Sequence, residues 1–244
     1  MTVRLDRALV ERGFMPTRAR AQAAIKAGRV RIDGATASKA SQSVGANASL
    51  SIDGSGNQWV SRAALKLVGA LEAYPLSQEG LIALDVGAST GGFTQVLLAN
   101  GAAKVYAVDV GHGQLAPEIA EDARVISLEK TNAKDLTTDL ITDSIDLIVS
   151  DVSFIGLEKA LPAPLSLARV GSQLIALIKP QFEVGPGKVG KGGIVKDTGL
   201  HAEVCKRIQR WLENEMGWMV KGLIDSPIKG SDGNKEFLIY AEKS

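Results

Sequence analysis

The sequence is short of the residue types that hold metals and staple small folds. A single cysteine, Cys205, excludes an intramolecular disulfide framework and any multi-cysteine zinc site. The two histidines, His112 and His201, lie far apart, so a histidine-based metal centre is not expected. Phe, Tyr and Trp total 11 in 244 residues, too few for a surface that works mainly by stacking on bases. No segment approaches the roughly 20 apolar residues of a bilayer-spanning helix. The longest candidate, 161–178, is broken by Pro162, Pro164, Arg169 and Gly171. Arg4, Asp6, Arg7 and Glu11 crowd the first residues, which have no apolar core, so a signal peptide is not expected. The default is a cytoplasmic protein with no metal and no membrane insertion. Net charge is also nearly absent, with 28 basic residues against 27 acidic ones.

That balance hides an asymmetry. Residues 49–57 read SLSIDGSGN, a Gly/Ser/Asn/Asp-rich stretch typical of a linker. Residues 1–57 hold nine basic and four acidic side chains, a balance of +5, and residues 58–244 hold 19 and 23, a balance of −4. A small basic domain ahead of a mildly acidic body is the electrostatic footprint of phosphate binding, although a solvated charged face gives the same count.

The head also has local pattern. Leu5, Ala8 and Leu9 have helical spacing, with Gly13 as a stop. Thr17 suits the N-cap of a second helix that runs to about Ala27 and closes at Gly28. RVRIDG then alternates as a half-buried strand ending in an Asp-Gly turn, and ASLSIDG can pair with it. The run LDRALVERG…TRARAQAAIKAGRVRIDG resembles the small RNA-binding domain named after ribosomal protein S4. That resemblance covers roughly residues 2–54 and implies RNA as partner. Its basic residues Arg4, Arg7, Arg18, Arg20, Lys26 and Arg29 are the expected phosphate contacts.

From residue 58, apolar runs at 81–86, 104–110, 124–128, 145–151, 173–179, 219–227 and 236–242 alternate with helical patterns at 61–74, 92–100, 115–121, 156–169 and 198–216. Such alternation predicts an α/β domain with a mostly parallel sheet covered on both faces and ligands at the strands' carboxyl ends. The last two runs are joined by a short Pro/Gly-rich turn, which favours an antiparallel edge pair.

The first run ends in LDVGASTGGFT, where Gly87, Gly91 and Gly92 permit a tight turn and close backbone approach to a ligand. Asp85 stands just before that turn, placed for its carboxylate to face a cofactor and attract a cation. Asp109 ends the second run 24 residues on, where an acid accepts hydrogen bonds from ribose hydroxyls. DVGASTGG followed by AVDVGHG resembles a class I methyltransferase, which implies S-adenosylmethionine held by Asp85, Gly87, Ala88, Ser89, Thr90, Gly91, Gly92, Phe93, Asp109, Val110 and Asp151. Asn132 is a further candidate for the adenine, with a simple Asn turn as its alternative. No Walker lysine follows the glycines, which disfavours ATP hydrolysis.

Asp151 ends the fourth run, Lys179 the fifth, Glu236 begins the last, and Lys66 lies on the helix before the first. A lysine at the end of an apolar strand needs a partner or a task, because burying an unpaired ammonium is costly. Together the four match the Lys-Asp-Lys-Glu tetrad of FtsJ-like ribose 2′-O-methyltransferases. SRAALKL, LDVGASTGGFT, VDVGHGQL, LEKTNAKDL, SDVSFI, LIKPQFEVG and SDGNKEF resemble the TlyA family, also called haemolysins, over nearly the whole chain. This resemblance implies a Rossmann-like methyltransferase that uses S-adenosylmethionine to methylate cytidine ribose in ribosomal RNA. The chain length resembles the shorter family type, for which large-subunit RNA is implied, with small-subunit RNA also possible. Asn57-Gln58-Trp59-Val60 departs from the family's frequent Arg-Ala-Trp-Val, leaving open any coupling that rests on that Arg.

In this chemistry Lys179 is the expected base. An ordinary lysine is protonated at neutral pH; Lys66 nearby and exclusion of water favour the neutral amine, and the carboxylates that orient it oppose this. Phe154 is a candidate to stack on a flipped cytidine, with a core position as the alternative. The loop 181–197, rich in Gly and carrying Lys188 and Lys191, reads as an RNA-contacting lid. His201 and Cys205 read as structural. Three other classes compete: a base methyltransferase, for which SDVSF is the wrong motif; a non-catalytic assembly factor, against which an intact tetrad argues; and a membrane-lytic haemolysin, for which no apolar segment speaks.

Overall fold

The computed structural model describes residues 2–12, 14–15, 18–45, 48–52, 59–185, 187–230 and 232–244. They belong to two compact units, Met1–Gln58 and Trp59–Ser244. Gly13, Thr17, Pro186 and the linker positions 53–58 lie outside the described residues.

In the first unit, β1 (Thr2–Arg4) leads into α1 (Leu5–Glu11), followed by α2 (Arg18–Lys26), β2 (Val30–Ile32), β3 (Ala35–Thr36), β4 (Ser43–Gly45) and β5 (Leu50–Ile52). Leu5, Leu9, Ala21, Ala24 and Val30 are fully buried, so small residues on α2 let it pack closely on α1. Asp33 and Gly34 both have positive φ, 49° and 84°. They form the two-residue turn that joins Ile32 to Ala35 with the twist a hairpin needs. β5 pairs with β2 antiparallel, Val30 opposite Ile52. β1 pairs with β4, a ladder of three residues too short to show alternation in the sequence.

Asp6 is fully buried and collects three basic or amide side chains. Arg4 donates to both its oxygens at 3.1 Å, Arg18 at 2.9 Å and Gln22 at 2.8 Å. These bonds, that from Arg4 foremost, hold its carboxyl well below the usual range. Arg4 and Arg18 stay half exposed. Arg7 pairs with Glu11 one turn along α1.

The second unit contains α3 (Ala64–Ala73), β6 (Ile82–Val86), α4 (Gly92–Ala99), β7 (Lys104–Val108), α5 (Pro117–Ala120), β8 (Val125–Leu128), β9 (Ile145–Ser150), α6 (Leu157–Ala160), α7 (Pro162–Ser166), β10 (Ala168–Ile178), α8 (Pro180–Glu183), α9 (Thr198–Asn214), β11 (Trp218–Asp225) and β12 (Phe237–Lys243). The sheet order is β11-β12-β10-β9-β6-β7-β8. β6 to β10 run parallel; β12 lies antiparallel between β10 and β11. Alternate residues serve opposite faces. Leu84, Tyr106, Ile148 and Leu174 pack with α6, α7 and α9, and Ala83, Val105, Leu147 and Ile175 pack with α3 and α4.

One long helix was expected over 156–169; the chain instead makes α6 and α7. Pro162 has no N–H to continue α6, and it starts α7 at a position where none is needed. β10 begins five residues before the apolar run that marks it, because a register shift between Ala168 and Gln173 admits Arg169, Val170 and Gly171 on the exposed end. Among the described residues no helix is long and apolar enough to cross a membrane, and no group of His, Cys, Asp and Glu is arranged to hold a metal ion. Burial pushes the Cys205 thiol up to about 11, which makes it a packing residue. His201 bonds Val195 O at 2.8 Å and meets the Phe237 ring edge-on.

Candidate active site

The carboxyl ends of β6, β9 and β10 open onto a cavity of about 570 Å³. The sheet's register brings the four tetrad candidates to it. Val86 lies level with Ser150, so β6 and β9 end together and Asp151 follows at the rim, while β10 passes that level at Ala176 and runs two residues further to Ile178. Ile178 pairs with Phe237 antiparallel, which places Lys179, just after β10, opposite Glu236, just before β12. Lys66 comes from α3, anchored by buried Ala64, Leu67 and Ala70.

All four side chains meet. Lys66 Nζ is 2.7 Å from Glu236 Oε2, an ion pair by distance without the alignment of a hydrogen bond. It donates to Asp151 Oδ1 and Oδ2 at 3.4 and 3.3 Å. Lys179 Nζ is 2.7 Å from Asp151 Oδ1 and donates to Ser153 Oγ at 2.8 Å and to Asp151 O at 3.2 Å. Asp151 therefore lies between the two amines, and Glu236 flanks Lys66. Each amine faces a carboxylate, the pairing that its burial requires, since both lysines are only 7% exposed.

The glycine turn forms the adjoining wall. Gly87, Ala88, Ser89, Thr90, Gly92 and Phe93 line the cavity. Gly87 has φ 86°, and a Cβ there would come within 3.1 Å of the Val152 backbone. A Cβ on Gly92 would collide with Ser61 Oγ. Asp109 accepts from Ser89 N at 2.8 Å and Gly111 N at 2.7 Å, so it fixes the turn from the end of β7. Val110 next to it is 69% exposed. This cradle, bare of side chains at Gly87 and bordered by a carboxylate, fits a ribose-bearing cofactor.

One expected cofactor contact is corrected. Asp85 is fully buried and faces Thr94, whose N–H and hydroxyl donate to Oδ2 at 2.9 and 2.7 Å. Its other oxygen has no partner, and burial, against those bonds, pushes the carboxyl up to about 7. It ties β6 to α4 behind the turn. Because the folded value lies above the ordinary one, Asp85 favours folding most in acid and progressively less as pH rises from about 4 to 7. Asp85→Asn should therefore gain stability relative to the parent over that window, by at most about 1.4 kcal/mol per pH unit. Denaturant melts at pH 4, 5.5 and 7 check it; a constant difference would refute it. Asn132 accepts from Lys134 N at 3.2 Å and caps the turn 133–135, the geometry of an Asn turn.

Phe154 is 90% exposed, which removes the core alternative. Its φ is 66°, a left-handed conformation that costs a bulky residue on the order of 1–3 kcal/mol. It leans on Phe182 at 5.1 Å between centroids. The loop bearing it ends at Leu157 N, which donates to Glu183 at 2.8 Å, and Glu183 is itself held by Arg207. Lys188 lies 3.8 Å from Glu203, and Lys191 is exposed. The expected lid is anchored at its far end, where buried Asn234 bonds Gly193 O and Val195 N. Arg62, Ser153, Gln181, Phe182, Lys229 and Asp232 also line the cavity and were not singled out in the sequence. Ser153 and Gln181–Phe182 each stand two or three residues from a tetrad member, the one local signal that marks them.

Comparison with known proteins agrees with this geometry. The model of the FtsJ-like methyltransferase family matches residues 59–243, and that of the S4 domain matches residues 3–50. The chain is 47% identical to the "16S/23S rRNA (cytidine-2'-O)-methyltransferase TlyA" of Mycobacterium tuberculosis, over 97% of this chain and 88% of that one. It is 39% identical to "Hemolysin A" of Brachyspira hyodysenteriae, over 98% and 99%. The solved structure of a Streptococcus thermophilus protein described under the hemolysin name superposes with a TM-score of 0.76 at 39% identity, covering 100% of this chain and 89% of that one.

Proposed function

Because the chain belongs to the FtsJ-like methyltransferase family, and within it to the TlyA group, we propose that it methylates the ribose 2′-oxygen of a cytidine in ribosomal RNA. The observation that carries the reading is the buried Lys66–Asp151–Lys179–Glu236 cluster beside a glycine cradle in one cavity. When bound, S-adenosylmethionine supplies an electrophilic methyl group on its sulfonium. Gly87, Ala88, Ser89, Thr90, Gly91, Gly92 and Phe93 would hold it, with Asp109 and Val110 toward the nucleoside.

A ribose hydroxyl is a poor nucleophile at neutral pH and must shed its proton as the new O–C bond forms. Lys179 is the base that takes that proton. Asp151 orients both amines through its two oxygens, and Lys66, braced by Glu236, positions the ribose. Holding the hydroxyl in line supplies much of the rate. Phe154, held out into solvent, offers a flat face for the extruded base. The basic first unit supplies the phosphate contacts through Arg4, Arg18, Arg20, Lys26 and Arg29, so RNA affinity falls as salt rises. Lys188 and Lys191 extend those contacts from the loop. A ribosomal RNA substrate implies action in the cytoplasm.

Mass-spectrometric mapping of ribose methylation, in RNA of both ribosomal subunits from cells with and without the protein, tests the reading. One or more 2′-O-methylcytidines should vanish from the deficient cells. An unchanged pattern, or loss of a base methylation instead, would refute it. The M. tuberculosis relative is named for both subunits, so each subunit is mapped separately.

A further inference from the structure

The geometry points to Gln181, held in one orientation by Asp232, as the residue that recognises the amino group of the target cytosine and so selects cytidine over uridine. This inference rests on the ribose-methylation reading above. Gln181 stands on α8, two residues beyond Lys179, and lines the same cavity as Lys179 and Phe154. Its Oε1 is covered from water and, among the described residues, has no hydrogen-bond partner. A buried carbonyl oxygen left unpaired is costly, and a ligand N–H that reaches it removes the cost. No group of the tetrad serves it.

The amide has a defined direction. Its Nε2 lies 3.5 Å from Asp232 Oδ2. Asp232 is fixed in turn by Asn234, which donates to Oδ1 from its backbone at 3.0 Å and to Oδ2 from its side chain at 2.8 Å. Burial raises the Asp232 carboxyl, but these bonds and the Lys179 charge outweigh it and leave the group below its ordinary value. An ionised carboxylate only accepts, so the NH₂ end of Gln181 faces it and the oxygen is the end left to accept from a ligand.

That asymmetry separates the two pyrimidines. Cytosine carries an amino donor at position 4, and uracil carries a carbonyl acceptor there. A freely rotating amide would flip to suit either. With its NH₂ end engaged by Asp232, Gln181 satisfies the cytosine amine and opposes the uracil oxygen.

The test uses the full chain, S-adenosylmethionine and ribosomal RNA transcribed with the mapped target as cytidine or as uridine. The parent should prefer cytidine. Gln181→Leu should lower kcat/KM on cytidine RNA by about tenfold to hundredfold, the range of one good base contact, with little change on uridine RNA. Asp232→Asn frees the amide to rotate and should raise the uridine-to-cytidine ratio. Equal losses on both RNAs in Gln181→Leu, or an Asp232→Asn ratio equal to the parent's, would overturn the inference and leave the function standing. Failure of the parent to methylate either RNA would overturn the function, and this inference with it.

Discussion

Lys179→Ala should cut methyl transfer by about 10²–10⁴-fold, the contribution of a positioned base, while S-adenosylmethionine still binds. The amine stands at the end of β10, only 7% exposed, with Asp151 at 2.7 Å and Ser153 Oγ at 2.8 Å fixing its direction. None of these partners belongs to the glycine turn, so the cradle survives the truncation. Single-turnover rates on ribosomal RNA measure the loss, and calorimetric titration measures cofactor affinity. Lys179→Arg keeps the charge but not the capacity to give up a proton near neutrality, and should be as slow as alanine. Full activity in either variant would remove Lys179 from the base role. A loss confined to KM would make it a binding residue.

Lys66→Ala should destabilise the second unit by about 3–5 kcal/mol, the cost of leaving a buried charge without its partner. The stranded group is Glu236, whose side chain is 3% exposed and whose nearest cation is Lys66 at 2.7 Å. For a domain of this size that loss lowers the melting temperature by on the order of 10 °C. The double variant Lys66→Met/Glu236→Gln removes both charges and should recover most of the stability while remaining inactive. Thermal and denaturant melts of the single and double variants check it. Equal instability in the double variant would mean that packing, and not the charge pair, carries the effect.

The parts of this site that were legible in the sequence have strong one-dimensional marks. Apolar runs marked the strands, three glycines after β6 marked the cradle, and a lysine ending an apolar strand marked Lys179. What was illegible depends on direction. Asp85 and Asp109 both stand at strand ends, yet one turns back to Thr94 and the other braces Ser89. A strand alternates its faces, and a spacing count alone does not say which face meets the cavity. Phe154 looked equally suited to core or solvent, because its left-handed backbone is set by the loop that Glu183 pins from 26 residues away. The pairing of Gln181 with Asp232 spans 51 residues and leaves no periodicity behind. β10 ran longer than its apolar stretch because a bulge, not a pattern, sets its start.

The insertion of β12 between β10 and β11 bears on the order in which the molecule assembles. β11 precedes β12 in the chain but has no other neighbour in the sheet, so it stays unpaired until β12 enters. Until then the edge of β10, with Leu174, Ile175, Ala176 and Leu177 along it, is an open template for another chain. The same entry delivers Glu236 to Lys66. In the folded sheet the one strand that covers the β10 edge is thus the strand that completes the charge cluster.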